Sequence, residues 1–403
     1  MDTPRVNPSP TTLRSLTSST VLWKLLLALL ITATSLALAR DLLSITKTHD
    51  PLHPDRPLLL HDRPTFKIAI FSDLHFGEEE ASWGPEQDAK SLELMRAVLA
   101  AEAPDLVVLN GDLITGENTF RENATAYVDV LVRPMVEAGV RWASTYGNHD
   151  SQFNLSREAV FDAESRYDLS QTRRADPELP GVTNYYLEIA HASAPDRPSA
   201  ILWFFDSRGG SPYQGGVEDI PGWVAPQTAS WFLNAHGMLT RKHSRVLPSL
   251  AFVHIPTSDY RSMQPFVTPA LFPGQNNDDP AQTQSNDPYP GHPAASFADA
   301  LLAAEGLHSV HAGHDHGNDW CVPAREERGA RPFLCFGRHT GYGGYGKWAR
   351  GARILELEFY EATEESWGRG MEVETWIRSE GGDVVGRVGL NQTYGVDKYS
   401  VDE

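Results

Sequence analysis

Five short stretches of this 403-residue chain carry side chains suited to binding metal ions. They are Asp73-Leu74-His75, Gly111-Asp112, Gly147-Asn148-His149-Asp150, His254 and Gly313-His314-Asp315-His316. Imidazole together with carboxylate and amide oxygens suits borderline divalent or trivalent ions, and the lack of cysteine in these stretches argues against a thiolate site. Asp73 and His75 are two residues apart, as are His314 and His316. In an extended segment each pair shares one face, so both members can reach one centre. Asp73, His75, Asp112, Asn148, His254, His314 and His316 are more ligands than one four-coordinate ion needs. Two ions sharing a carboxylate would use them all. Taken singly the stretches say little: Gly-Asp after a strand is commonly a turn, and a lone histidine such as His254 on an apolar strand is more often a satisfied core residue. The information lies in the whole set and its order.

Each stretch ends an apolar run. Residues 66–71, 106–109, 141–146, 250–253 and 309–312 have strand character. In α/β sheets, ligands gather beyond the carboxyl ends of strands. Between the first three runs the spacing turns helical: Leu92, Met95, Val98 and Leu99, ended by Pro104, then Tyr127, Val130, Leu131 and Val136, with Pro134 as an irregularity. This βαβαβ order predicts a sheet buried by helices. Further strands are expected at 185–190, 201–205, 332–336, 353–360 and 372–377, with helices near 228–241 and 295–304. The expectation is an α/β fold: a four-layer αββα sandwich of two face-to-face mixed β-sheets flanked by helices. Residues 266–292 read as a long surface loop, residues 40–65 as a linker, and residues 66–403 as a single catalytic domain.

The formal net charge of −19 argues against a broad nucleic-acid-binding face. It leaves an anionic substrate open, because bound metal ions invert the local field. At the N-terminus Arg5, Arg14 and Lys24 precede the apolar run 25–33, and Ala37-Leu38-Ala39 offers a small-x-small cleavage pattern. Residues 1–39 therefore read as a signal peptide or, with residues 21–39 as the membrane anchor, as an uncleaved signal anchor. Either way the rest of the chain is expected in the secretory pathway, secreted or luminal, or anchored with its catalytic domain on that side. Asn123, Asn154 and Asn391 begin glycosylation sequons that fit this side. The only cysteines, Cys321 and Cys335, most simply form one disulfide there.

The ordered series resembles that of the calcineurin-like metallophosphoesterases over roughly residues 66–360. The details look closest to a branch of fungal and plant proteins related to purple acid phosphatases. The stretches "YGNHDSQFNLSR", "GHDHGNDWC" and "GRHTGYGGYGKWARGARILELE" carry this closer resemblance. The resemblance implies a double β-sandwich with a two-metal centre. It implies that Asp73, His75, Asp112 and His316 hold one ion, with Asp112 bridging to a second held also by Asn148, His254 and His314. One departure stands out. Purple acid phosphatases carry, three residues after the bridging aspartate, a tyrosine whose phenolate binds ferric iron and gives the colour. This chain has Thr115 there, so no purple band is expected, and iron, manganese and zinc all stay open.

Two such ions, about 3.5–4 Å apart, would clamp the attacking and leaving oxygens of an in-line displacement, with a bridging hydroxide as nucleophile. His149, not assigned to a metal, is the candidate general acid. Asp150 is expected to brace the turn or a ligand. Arg338 and His339 precede the glycine-rich segment 341–346 and are candidate substrate-binding residues, the other reading of that segment being a flexible hairpin. Tyr342, Tyr345 and Trp348 would line a groove or simply pack. His311 is expected to be structural, and His308 to lie on the surface. The leading expectation is hydrolysis of phosphate monoesters. A phosphodiesterase with the same centre is the first alternative, and a catalytically silent binding module of the same fold is another.

Overall fold

Runs such as Leu106–Asn110, buried at every position, cannot show one face to water and must be covered on both sides. The computed structural model describes residues 58–60, 63–278, 281–284, 291–325, 332–360 and 370–400 and covers them in that way. One sheet has six strands: β2 (Thr65–Phe71), β3 (Leu106–Asn110), β4 (Arg141–Thr145), β11 (Gly351–Phe359), β12 (Met371–Ser379) and β13 (Val384–Gly389), in the order β13-β12-β11-β2-β3-β4. Its β2, β3 and β4 run parallel, and β11 joins β2 antiparallel. The other has seven: β1 (Leu58–Leu60), β5 (Tyr185–His191), β6 (Pro198–Phe205), β7 (Ser249–Val253), β8 (Leu307–Ala312), β9 (Cys321–Pro323) and β10 (Phe333–Phe336), in the order β1-β5-β6-β7-β8-β10-β9. Both sheets are mixed, as expected. They are bonded across their facing sides: Thr145 Oγ1 donates to the Phe205 carbonyl at 2.6 Å, and the Tyr185 hydroxyl donates to the Ser144 carbonyl at 2.9 Å.

Helices cover the outer faces. α1 (Gly84–Glu102) buries Leu94, Met95, Val98 and Leu99 and ends at Ala103 in the left-handed region, just before Pro104. The helix expected across 127–136 is broken at Val132 into α2 (Ala126–Leu131) and α3 (Arg133–Ala138). Pro134 sits in the first turn of α3, where its missing N–H costs nothing. α4 (Arg157–Glu164), capped by Ser156 Oγ accepting from the Ala159 N–H, and α6 (Ser258–Met263) add to the expected set. α5 (Pro226–His243) and α7 (Ala295–Ala303) fall where the periodicity placed them.

The linker expectation needs correction at its end, since β1 pairs parallel with β5 and β2 already starts at Thr65. The leader or anchor and the linker up to residue 57 lie outside the described residues. No helix among the described residues is long and apolar enough to cross a membrane. Cys321 and Cys335 stand directly opposite each other on β9 and β10 and are bonded. Asn123 and Asn391 are exposed, whereas Asn154 is half-buried and donates its amide to the Thr119 carbonyl at 2.9 Å.

Candidate metal centre

The segments leaving β2, β3, β4, β7 and β8 converge. The Asp73 N–H donates to the Gly111 carbonyl and the His75 N–H to the Asp112 carbonyl, each at 3.0 Å, so two ligand-bearing turns are bonded together. Asp73, His75, Asp112 and His314 have φ of 56°, 50°, 49° and 77°. Non-glycine residues in this region cost on the order of 1–3 kcal/mol each and persist only where the surroundings over-determine them. Among the described residues, four of the ten non-glycine residues with positive φ are candidate ligands, so backbone strain is concentrated at the centre. Gly147 is required by close approach: a methyl group there would lie 2.2 Å from Asp112 Oδ1.

The ligand atoms form two clusters, Asp73 with His75 and His316, and Asp112 with His254 and His314, each with its atoms within 4.8 Å of one another. Asp112 stands between them, its Oδ2 lying 3.0 Å from His254 Nε2 and 3.8 Å from His75 Nε2. Its Oδ1 is occupied by the His149 N–H at 2.8 Å.

Outer contacts aim the rings inward. His254 Nδ1 donates to the Asn110 carbonyl at 2.9 Å and His316 Nδ1 to the Tyr345 carbonyl at 2.8 Å, leaving each Nε2 toward the centre. His75 Nδ1 lies 3.0 Å from Thr115 Oγ1, and its Nε2 lies 3.2 Å from His316 Nε2. The expected tyrosine position thus holds a hydroxyl that orients a ring. Burial pushes His314 down to about 3, His316 to about 4 and His75 well below the ordinary histidine range. These three rings are neutral, the form that binds metal. Burial opposes charge on Asp112 as well, but the imidazoles of His254 and His149 outweigh it and hold the carboxyl well below its usual range. Burial pushes Asp73 up to about 7.

The donor set fits metal ions on the structure's own terms. Asn148 Oδ1 is buried with no hydrogen-bond partner. Two neutral ring nitrogens face each other across 3.2 Å beside two carboxylates. A buried cation would satisfy both features.

His149 is outside the two clusters of ligand atoms. Its ring lies 5.0 Å from that of His75, and its Nδ1 is 2.6 Å from Glu117 Oε1. Burial pushes His149 down, but Asp112 and Glu117 outweigh it and raise it to about 9. Sequence reasoning missed Glu117, because nothing local links it to a histidine 32 residues later. Asp150 braces the turn: Oδ1 accepts from Leu113 and Ile114 N–H, and Oδ2 from Gly147 N–H, at 2.8–3.0 Å.

The two tentative substrate residues are corrected. Arg338 is buried, donating its Nε to Asp319 Oδ2 and its Nη1 to the Ala349 carbonyl, so its donors are spent internally. His339 is fully buried and packs on His316 with ring centres 3.8 Å apart, so it supports a ligand from behind. Tyr345 covers His316 at 4.0 Å, and its hydroxyl accepts the His316 N–H at 3.1 Å and donates to Asp278 at 2.5 Å. The glycine-rich segment is therefore a wall of the centre rather than a free hairpin. His311 is structural, bonded to Ser309 at 2.9 Å. His308, expected on the surface, is buried and bonded to the Leu390 carbonyl at 3.0 Å.

Two sheets delivering paired Asp/His clusters to one edge define a metallophosphoesterase-type centre, and comparison with known proteins agrees. The chain belongs to the calcineurin-like phosphoesterase family, whose sequence profile it matches over residues 66–318. Among individual relatives, it is 28% identical to the protein named probable inactive purple acid phosphatase 29 of Arabidopsis thaliana, over 78% of this chain and 82% of the relative. It is 27% identical to the Saccharomyces cerevisiae protein named phosphatase DCR2, over 76% of this chain but only 54% of that longer protein. Among solved structures, a dimetal phosphatase from Danio rerio shares the fold with a TM-score of 0.51 at 14% identity, covering 81% of this chain and 99% of that one.

Proposed function

We propose that this chain is a metal-dependent phosphoesterase that hydrolyses phosphate monoesters. The observation that carries the reading is the pair of ligand clusters meeting at Asp112, with inward-facing nitrogens already fixed by Asn110, Thr115 and Tyr345. Asp73, His75, Asp112 and His316 would hold one ion, and Asp112, Asn148, His254 and His314 a second. Two bound ions would supply Lewis-acid charge at the phosphoryl oxygens and a water made acidic near neutral pH. Iron, manganese and zinc each suit this imidazole, carboxylate and amide set.

The chain's own residues complete the chemistry. His149 passes its proton to the departing alkoxide, and Glu117 holds the ring in place through Nδ1. Asp150 fixes the turn that separates the ligand Asn148 from the proton donor His149. The names of the yeast and zebrafish relatives support a phosphatase. The words "probable inactive" in the plant name favour a second reading, a silent module of the same fold. Against that reading, all seven donors are present in this chain. The acting compartment in this proposal is the secretory lumen or outside, resting on the N-terminal leader, the sequons and the cysteine pair.

Release of p-nitrophenolate from p-nitrophenyl phosphate and bis-p-nitrophenyl phosphate by metal-loaded protein tests the reading. The monoester is expected to turn over at least about tenfold faster in kcat/KM, a difference of about 1.4 kcal/mol in activation free energy. A faster diester would make the protein a phosphodiesterase, and no turnover of either with both ions bound would favour the silent module.

A further inference from the structure

Asn148 is the one amide among the proposed ligands. An amide oxygen carries no net charge, so what it adds to an ion depends on its being held in place beforehand. Its Oδ1 has no hydrogen-bond partner, which leaves its aim to the backbone on either side.

That backbone is gripped by a single buried side chain, Arg157, the first residue of α4. Its Nη2 donates to the Gly147 carbonyl at 2.5 Å and so fixes the peptide that leads into Asn148. Its Nη1 donates to the Gly209 carbonyl at 3.0 Å. Its Nε lies 3.2 Å from Oδ1 of the fully buried Asp206. Asp206 in turn accepts the Arg208 N–H at 2.8 Å and the Val182 N–H at 2.7 Å. Gly147 follows β4, whereas Asp206 and Gly209 follow β6, so one guanidinium spans both sheets at the ligand edge.

The loop held through Gly209 lies directly on Asn148. A methyl group at Gly209 would lie 2.9 Å from Asn148 Cβ, and one at Gly210 2.2 Å from the Asn148 carbonyl oxygen. The Ser211 N–H donates to the Ser151 carbonyl at 2.9 Å, which keeps this loop along the turn. Asn148 is thus enclosed between two backbone segments, and the planar fork of Arg157 sets the gap between them.

We propose that Arg157 is a positioning residue for the second ion: by holding the Gly147 and Gly209 carbonyls together, it aims the Asn148 amide at the ion it would share with Asp112, His254 and His314. The inference rests on the two-ion phosphoesterase reading.

The test is a double-mutant cycle on metal affinity, by calorimetric titration of the metal-stripped full chain with zinc. Arg157→Lys keeps a cation beside Asp206 but replaces the fork with one compact ammonium. It should weaken one of the two binding events by about 10- to 100-fold, the range for contacts behind a ligand. That event should be the one that Asn148→Ala weakens. In the Asn148→Ala background Arg157→Lys should cost nothing more, because its effect passes through the amide. Arg157→Met with Asp206→Asn removes both charges of the buried pair together and leaves neither stranded, giving a second variant with the same expected loss. Undiminished affinity in a folded variant, equal weakening of both events, or a loss that adds to that of Asn148→Ala would overturn the positioning role and leave the metal centre standing. Fewer than two zinc equivalents in the wild type would overturn it together with the reading beneath it.

Discussion

The contact between His149 and Glu117 gives the sharpest kinetic prediction. Glu117→Gln keeps the shape but removes the charge from a hydrogen bond of 2.6 Å to His149 Nδ1. Hydrogen bonds to charged groups contribute roughly 1.5–3 kcal/mol. If the bond serves the transition state, its loss lowers kcat/KM by about 10- to 150-fold. His149→Ala removes the proton donor itself and should cost about 10²- to 10⁴-fold. Both losses must depend on the leaving group. An alkoxide needs a proton as it departs, whereas p-nitrophenolate does not, so p-nitrophenyl phosphate hydrolysis should fall only a few-fold. The assay is steady-state kinetics across alkyl and aryl phosphates, with metal content measured for each variant, since neither side chain is a proposed ligand. Equal losses on good and poor leaving groups, at full metal content, would refute the proton-donor role.

Tyr345→Phe keeps the ring stack and the carbonyl bond on His316 but removes the hydroxyl that joins the His316 N–H to Asp278. It should weaken metal affinity by about tenfold in a chelator competition, the lower end for outer-shell contacts, and unchanged affinity would remove Tyr345 from the centre. Glu164 is buried and accepts from Trp142, Ser144, Tyr146, Ser170 and Thr172, so Glu164→Ala strands five donors. A loss of about 3 kcal/mol or more is expected in urea unfolding, and a loss under about 1 kcal/mol would show that water replaces the carboxylate. Replacing Cys321 and Cys335 by serine opens a loop closed across a sequence separation of 14. Unfolding free energy should drop by about 3 kcal/mol, and an unchanged denaturation midpoint would mean that the β9–β10 pairing alone holds this edge.

The parts of the fold that were legible in the sequence share a physical cause. β3 and β7 are short, buried at every position and apolar except for Asn110 and Ser249 at their ends, and the ligand residues follow strands directly, so hydrophobic runs and polar punctuation pointed to the same edge. β1 was hidden because three leucines in a proline-rich lead-in look like linker until β5 pairs with them. β13 was hidden because Val384 and Val385 are both exposed, which erases the alternation a half-buried strand should show. The break between α2 and α3 was visible only as a misplaced proline. Site residues followed the same division. Asp73, His75, Asp112, His254, His314 and His316 could be picked out by type and spacing. Glu117, Tyr345 and the burial of Arg338 depend on partners distant in sequence: His149, His316 and Asp319. His308 looked like a surface histidine because the carbonyl it meets belongs to Leu390, 82 residues downstream.

The central claim is that two ions share Asp112. Calorimetric titration of metal-stripped protein with zinc or manganese, repeated on Asp112→Asn, tests it most directly. The account predicts two equivalents per chain for the wild type and weakening of both binding events in the variant, by at least about tenfold each. One equivalent or none in the wild type, or two equivalents at undiminished affinity in Asp112→Asn, would contradict it.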